Sequence, residues 1–302
     1  MPPRPHILVV NGRKVRQPVF VIGAPHSGAD LLGRALKQSP GFHVTIGQDV
    51  VQSVVYAFAR SPSIQRGRSD AAATVLRDAF AQAWQVTDHG CLTCSPACRE
   101  AGGVNGASCC IAERDISRYG DASPDLMYCA EVLVDAFGDA KLIQIIRDGR
   151  DVVAGMLGDP QELSWFKAGI ANVETEFPNP FYGIETDDDQ AAWPDLSAAG
   201  KCAMRWRGSV RAMARLRASL SPEQLTTVRY ESLLKHPAPT TSALAQFVGS
   251  QLTQVEVPHA RARRQQQPGP EPGAWRKLLN PAQASEIEMV AGADLLRVGY
   301  GT

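Results

Sequence analysis

Val19-Phe20-Val21-Ile22 is an unbroken apolar run closed by Gly23 and Pro25, the pattern of a short strand buried on both faces. Behind it, from Ala29 to Gln38, Leu31, Leu32, Ala35 and Leu36 recur at helical spacing until Ser39-Pro40-Gly41 stops the run. Strand, glycine loop, helix is the opening of a nucleotide-binding α/β unit. The run 141–146 (KLIQII) predicts a second buried strand, followed by a charged turn and a helix through Met156. Residues 225–230 read as a third strand. Helical patterns cover 49–60, 70–86, 198–218, 239–249 and 281–297, with helix signals at 124–137. Residues 158–197 read as irregular, with Pro160, Pro178, Pro180, Pro194 and the acidic run Asp187-Asp188-Asp189. Residues 257–273 are basic and then Gln/Pro/Gly-rich, a surface segment. Alternating strands and helices predict a three-layer α/β sandwich, a mostly parallel central sheet flanked by helices, in one domain over 1–302.

Charge narrows the partners. The 31 basic and 31 acidic residues balance to a formal net charge of zero, so no bulk attraction to nucleic acid or an anionic membrane is expected. The apolar stretch near the N-terminus is four residues long, too short for a signal-peptide core or a membrane span. A cytoplasmic location is expected. Of seven cysteines, five lie in a Cys-rich insertion at 87–110. Cys91, Cys94, Cys98, Cys109 and Cys110, with His89 as a substitute, would suit a structural zinc, because three or four thiolates can hold it tetrahedrally. Disulfides, an iron–sulfur cluster, or unrelated loop thiols are the alternatives. Cys129 and Cys202 read as core thiols.

Gly23-x4-Gly28 resembles the first half of a P-loop, but Ala29-Asp30 stands where that loop carries Lys-Ser/Thr. Without that lysine and metal-binding hydroxyl, magnesium-assisted nucleotide hydrolysis is not expected. The loop amides and the helix start still offer an anion site, or else a tight turn. Arg147-Asp148-Gly149-Arg150-Asp151 follows the second strand, at the carboxyl edge where ligands of such sheets bind. It could pair with a phosphate or form a surface salt-bridge cluster.

Taken in order, these segments resemble the sulfotransferase superfamily of bacterial and Golgi type. GAPHSGADLL is similar to its GxPRSGTTLL loop, KLIQIIRDGRDVVAGM to its strand-then-RDxRDV motif, and VRYESLLKHP to its RYEDLL segment. RYGDASP is similar to its GDKSP stretch, and WRKLLNPAQASEIEMVAGADLLRVGY to its closing element. The resemblance runs from about residue 18 to 300 and implies the P-loop-like sulfotransferase fold. It implies the donor 3′-phosphoadenosine 5′-phosphosulfate (PAPS), released as adenosine 3′,5′-bisphosphate, and a small-molecule acceptor such as a secondary metabolite, carbohydrate or lipid. On this resemblance Pro25, His26, Ser27, Gly28, Ala29, Asp30 and Leu31 would hold the 5′-phosphosulfate and Arg147 the 3′-phosphate. Arg229, Tyr230, Trp275 and Arg276 would support the nucleotide.

The departures from the family pattern fall on the chemistry. His26 stands at an Arg/Lys position, Ala29 and Asp30 at two threonines, Ala122 at the GDKSP lysine, and Gly155 at a serine. The fold could therefore serve a silent binding protein, or a different reaction with His26 and Asp30 as an acid–base pair. Sulfuryl transfer needs a base near the acceptor. The family places a glutamate in a GE pair after the first helix. Here the stretch is Gly47-Gln48-Asp49, with Gln48 at the glutamate and Asp49, one residue on, as the expected base or else a helix cap. The residues at 158–197 are expected to shape the acceptor side.

Overall fold

The computed structural model describes residues 7–65, 69–106, 108–167, 169–170, 176–255 and 271–301. Val19–Ile22 (β3) lies at the centre of a five-stranded sheet, after a small hairpin of Val9–Val10 (β1) and Arg13–Lys14 (β2). The sheet order is Phe42–Thr45 (β4), Arg118–Asp121 (β5), β3, Lys141–Ile146 (β6), Leu225–Arg229 (β7). Every pairing in it is parallel, so all five carboxyl ends share one edge. The apolar runs at β3 and β6 exist because both faces are covered. Val19, Val21, Ile143 and Ile145 face one core layer, while Phe20, Ile22 and Leu142 face the other.

The helices are Ala29–Lys37 (α1), Asp49–Arg60 (α2), Ser69–Ala83 (α3), Pro96–Ala101 (α4), Ala130–Ala136 (α5), Gly149–Leu157 (α6), Pro160–Ser164 (α7), Asp187–Ala192 (α8), Ala198–Ser219 (α9), Tyr230–Lys235 (α10) and Pro237–Val248 (α11). A turn at Trp275–Leu278 and a last helix at Pro281–Arg297 follow. Leu32, Ala35 and Leu36 of α1 pack on one face of the sheet with α4, α10 and α11. α2, α3 and α5 cover the other. The links on either side of β3 thus run over opposite faces, which opens a crevice at its carboxyl end.

Two expectations change. The 158–197 segment is not wholly irregular: Asp159 caps α7, Asn179 caps a turn at Pro180–Tyr182, and Thr186 forms a capping box with Asp189 at α8. Pro160, Pro180 and Pro194 sit at helix starts, where the missing N–H costs nothing. Arg205 of α9, fully buried, pairs with Asp125 at 2.6 Å and with Glu162 of α7 under the Phe181 ring, pinning the segment to the core. Most of the expected surface segment at 257–273 lies outside the described residues. Among the described residues no helix is long and apolar enough to cross a membrane.

Candidate functional site

The glycine loop leaves β3 at the crevice. Gly28 takes φ 94° and stands at the N-cap of α1 without a side-chain cap; Leu31 N donates to the Gly28 carbonyl at 3.1 Å, and the Ala29 and Asp30 amides keep their capacity for another acceptor. A Cβ at Gly28 would lie 2.6 Å from the Tyr230 ring, and one at Gly23 would lie 2.7 Å from the Ile145 carbonyl oxygen. Close approach therefore demands both glycines. His26 adopts φ 61°, left-handed backbone that non-glycine residues rarely take. Its carbonyl accepts from Arg147 Nη1 at 3.1 Å. Its ring packs on Gly155, and its Nε2 lies 3.3 Å from Asp159 Oδ2. The partner of His26 is thus Asp159, and the pairing with Asp30 expected for acid–base work is not formed. Asp30 is exposed on the first turn of α1.

Arg147 is 5% exposed. Its guanidinium lies over Tyr230 at 4.4 Å and 3.8 Å from Asp151 Oδ2. Asp151 in turn accepts from the amides of Gly273 (2.7 Å) and Trp275 (2.9 Å). Among the described residues, Arg147 Nε and Trp275 Nε1 are buried with no hydrogen-bond partner. Trp275 is stacked between Arg150 (4.5 Å) and Arg276 (4.6 Å). The fold thus links the loop from Pro25 to Leu31 with Arg147, Tyr230 and Trp275. Two arginines are turned elsewhere. Arg150 is held by Asp148, Glu288 and the Tyr300 carbonyl. Arg229 is bonded to the Val298 carbonyl and stacked on Tyr300.

On the other flank of β3, Asp121 ends β5 fully buried. It accepts from Thr45 Oγ1 (2.6 Å), Ser123 N (2.7 Å) and Ser123 Oγ (3.0 Å). Burial pushes its carboxyl from 3.8 up to about 7, against those hydrogen bonds. Ser123 Oγ also accepts the Gly47 amide at 2.9 Å, so this network sets the turn that presents Gln48 and Asp49. Gln48 is buried and occupies the N-cap position of α2; Asp49, its first residue, is exposed. The alternative of Asp49 as the cap is therefore corrected. His43 is buried in β4, and burial lowers it to about 4.

The Cys-rich insertion runs along β4, an edge strand whose outer carbonyls need partners. Ser95 Oγ donates to the Ile46 carbonyl at 2.5 Å, and Lys37 Nζ donates to the Val44 carbonyl at 2.7 Å. Lys37 Nζ also contacts Cys110 Sγ at 3.2 Å. Burial works against the Lys37 ammonium, yet the Cys98 and Cys110 sulfurs outweigh it and raise its pKa. A hydrogen bond from Cys94, reinforced by Lys37, brings Cys98 down to about 6 despite burial. The zinc expected on Cys91, Cys94, Cys98, Cys109 and Cys110 is not supported. Among the described residues no group of three or more His, Cys, Asp or Glu could hold a metal ion. The cation in the cluster is the lysine, and Cys109 is turned to the Thr87 carbonyl at 2.6 Å.

The sequence model of the sulfotransferase family matches residues 18–178 and 181–254. The chain belongs to the sulfotransferase family. No curated protein matches it. Among solved structures, it is similar to a sulfotransferase from Alicyclobacillus acidocaldarius, with 14% identity over 94% of each chain and a TM-score of 0.47. It is also similar to the sulfotransferase domain of a Synechococcus olefin synthase, with 14% identity over 91% of this chain and 94% of that one and a TM-score of 0.46. A mouse sulfotransferase complexed with PAP matches at 12% identity over 93% of this chain and 86% of that one, with a TM-score of 0.45. Sequence reading missed Lys37, Asp121 and Asp159 in this sulfotransferase-family chain. Asp121 lies within the RYGDASP stretch, and Asp159-Pro160 carried the pairing of an N-cap with a first-turn proline.

Proposed function

We propose that the chain transfers a sulfuryl group from PAPS to a hydroxyl or amine of a small molecule. The observation that carries this reading is the junction of the uncapped glycine loop with Arg147, a buried arginine with an unpartnered nitrogen. A buried donor left unpaired costs about 1–3 kcal/mol, and a bound phosphate removes that cost. The residues fit the nucleotide. Of the loop from Ser27 to Leu31, whose end amides donate to the Ala24 and Gly28 carbonyls, the Gly28, Ala29 and Asp30 amides would hold the 5′-phosphosulfate, and Arg147, kept in place by Tyr230 and Asp151, would hold the 3′-phosphate. Trp275 and Arg276 would flank the nucleotide, with Arg229 supporting it through the Val298–Tyr300 end of the chain. When bound, PAPS supplies the activated sulfuryl group.

Asp49, presented by the Asp121–Ser123 network, would take the acceptor's proton on its carboxylate. Isothermal calorimetry with adenosine 3′,5′-bisphosphate tests the reading. Wild-type protein should bind, and Arg147→Met should weaken binding roughly 10- to 100-fold, the worth of a hydrogen bond to a charged group. No binding at millimolar ligand would sink the PAPS assignment. Binding without transfer of labelled sulfate to any of a panel of hydroxyl and amine acceptors would instead make the chain a nucleotide-binding protein.

A further inference from the structure

The Cys-rich insertion is fastened to the fold at three places. Ser95 Oγ donates to the Ile46 carbonyl just past β4, Cys109 Sγ to the Thr87 carbonyl beyond α3, and Lys37 Nζ of α1 to Cys110 Sγ. Between these anchors the Cys110 amide donates to Cys91 Sγ at 3.2 Å, joining the two halves of the insertion. The insertion, the start of α2 and the end of α3 together enclose a cavity of about 320 Å³. Asp49 lines it, and so does Gln48, whose Nε2 donates to Cys94 Sγ at 2.9 Å. None of the described residues of 158–197 contributes to its wall. Val50, Ala83, Val86 and Ile111 in the wall pack against the core yet stay partly open, an apolar surface suited to a ring. The volume is about twice that of a 150 Å³ cavity that encloses benzene.

Charge sets what this wall admits. Among the described residues lining the cavity, Asp49 is the one Asp, Glu, Lys or Arg. His43, also in the wall, is kept neutral by burial. Lys37 reaches Cys110 but does not line the cavity. With no lining Lys or Arg to offset Asp49, an anionic guest meets a like charge. We infer that this cavity is the acceptor site, and that it takes uncharged one- or two-ring alcohols and phenols and turns away carboxylated and phosphorylated ones. The assignment rests on the sulfuryl-transfer reading above, in which Asp49 takes the acceptor's proton. It gives the Cys-rich insertion a role as the outer wall of the acceptor pocket. It also gives Asp49 a second task, because the charge that receives the proton excludes anions.

The full, reduced chain without donor is titrated by fluorescence with 2-naphthol and with 6-hydroxy-2-naphthoate, the same two rings without and with a carboxylate. 2-Naphthol should bind, and the naphthoate should bind at least about tenfold more weakly. Asp49→Asn removes the repelling charge and should bring the two affinities to within about threefold. Gln82→Trp puts an indole into the cavity from an exposed position of α3. It should abolish 2-naphthol binding and keep the calorimetric affinity for adenosine 3′,5′-bisphosphate, which also shows that the variant is folded. Three results would overturn the inference: no binding of 2-naphthol by the wild type at millimolar concentration, equal wild-type affinities for the two probes, or 2-naphthol binding that survives Gln82→Trp. Labelled-sulfate transfer that Gln82→Trp leaves at full rate would also remove the pocket, while keeping the sulfuryl-transfer reading. Absent binding of adenosine 3′,5′-bisphosphate to the wild type would remove that reading, and the acceptor role with it, whatever 2-naphthol does.

Discussion

Replacing Asp121 by asparagine removes one charge from the most enclosed acid beside the crevice, and the effect should depend on pH in a defined direction. Asp121 is fully buried among hydroxyl and amide donors, and burial carries its carboxyl from 3.8 to about 7. Between those values the folded chain keeps a proton that the unfolded chain releases. Folding stability therefore falls as pH rises across this window, by about 1.4 kcal/mol per pH unit. Over the whole window the loss is about 4 kcal/mol, the shift multiplied by that slope. Above pH 7 the wild-type protein has lost all of it.

The amide of the Asp121→Asn variant carries no charge at any of these pH values, so its stability should not follow this slope. Wild type and Asp121→Asn are compared by urea unfolding at pH 5, 6, 7 and 8. The wild-type advantage should shrink, or reverse, by about 3 kcal/mol between pH 5 and pH 8, the part of the window still to be crossed. A difference between the two proteins that stays constant within about 0.5 kcal/mol would refute the reasoning. It would show that Thr45 and Ser123 hold the carboxylate charged and that burial does not dominate.

Three further substitutions probe separate parts of the chain. Gly28→Ala places a methyl 2.6 Å from the Tyr230 ring at φ 94°. It should cost on the order of 1–3 kcal/mol in urea melts and weaken nucleotide binding at least about tenfold. Arg205→Met leaves Asp125 and Glu162 without their buried partner, which should cost about 3–5 kcal/mol and be read as a lower calorimetric melting temperature. Asp49→Asn should lower turnover at saturating acceptor by about 100-fold or more while leaving the calorimetric affinity for adenosine 3′,5′-bisphosphate unchanged. Full turnover would remove Asp49 from the role of base.

β3, β6 and β7 are legible in the sequence, β7 through its β-branched Thr226-Thr227-Val228 and the other two through apolar residues. β3 and β6 lie between two cores and read as continuous runs, and Pro281–Arg297 carries its own start in Asn280-Pro281. β4 and β5 are not legible there, because their burial is satisfied by polar contacts made elsewhere in the chain. His43 faces the Tyr119 ring and Cys110, Thr45 bonds to Asp121, and the Gly120 carbonyl accepts from Trp84 Nε1. None of these pairs is close in sequence. The same holds for the site. The glycine loop and the RDGRD turn are visible as local motifs, whereas the convergence of Arg147 on Tyr230 and the His26 carbonyl is set by the sheet order.

That convergence also links departures from the family pattern that look independent in the sequence. A Cβ at residue 155 would lie 2.9 Å from His26 Cβ and Cγ. The imidazole at 26 and the missing side chain at 155 are thus one spatial arrangement, braced by Asp159. Ala122, at the family's lysine position, is likewise a packing residue: a Cβ at Gly33 of α1 would meet its methyl at 2.4 Å, so α1 and the end of β5 touch there with no room to spare. With the lysine gone and the His26 ring drawn onto α6, side-chain cations are withdrawn from the front of the loop. What would face an anion there is backbone, the Gly28, Ala29 and Asp30 amides at the start of α1, since the Ser27 and Leu31 amides already donate to the Ala24 and Gly28 carbonyls at 3.1 Å. Oriented amides stabilise developing charge without reorganising. On the proposed function, sulfuryl chemistry would rest on how rigidly Gly23, Gly28 and the Arg147–His26 carbonyl bond hold that loop, more than on any charge within it.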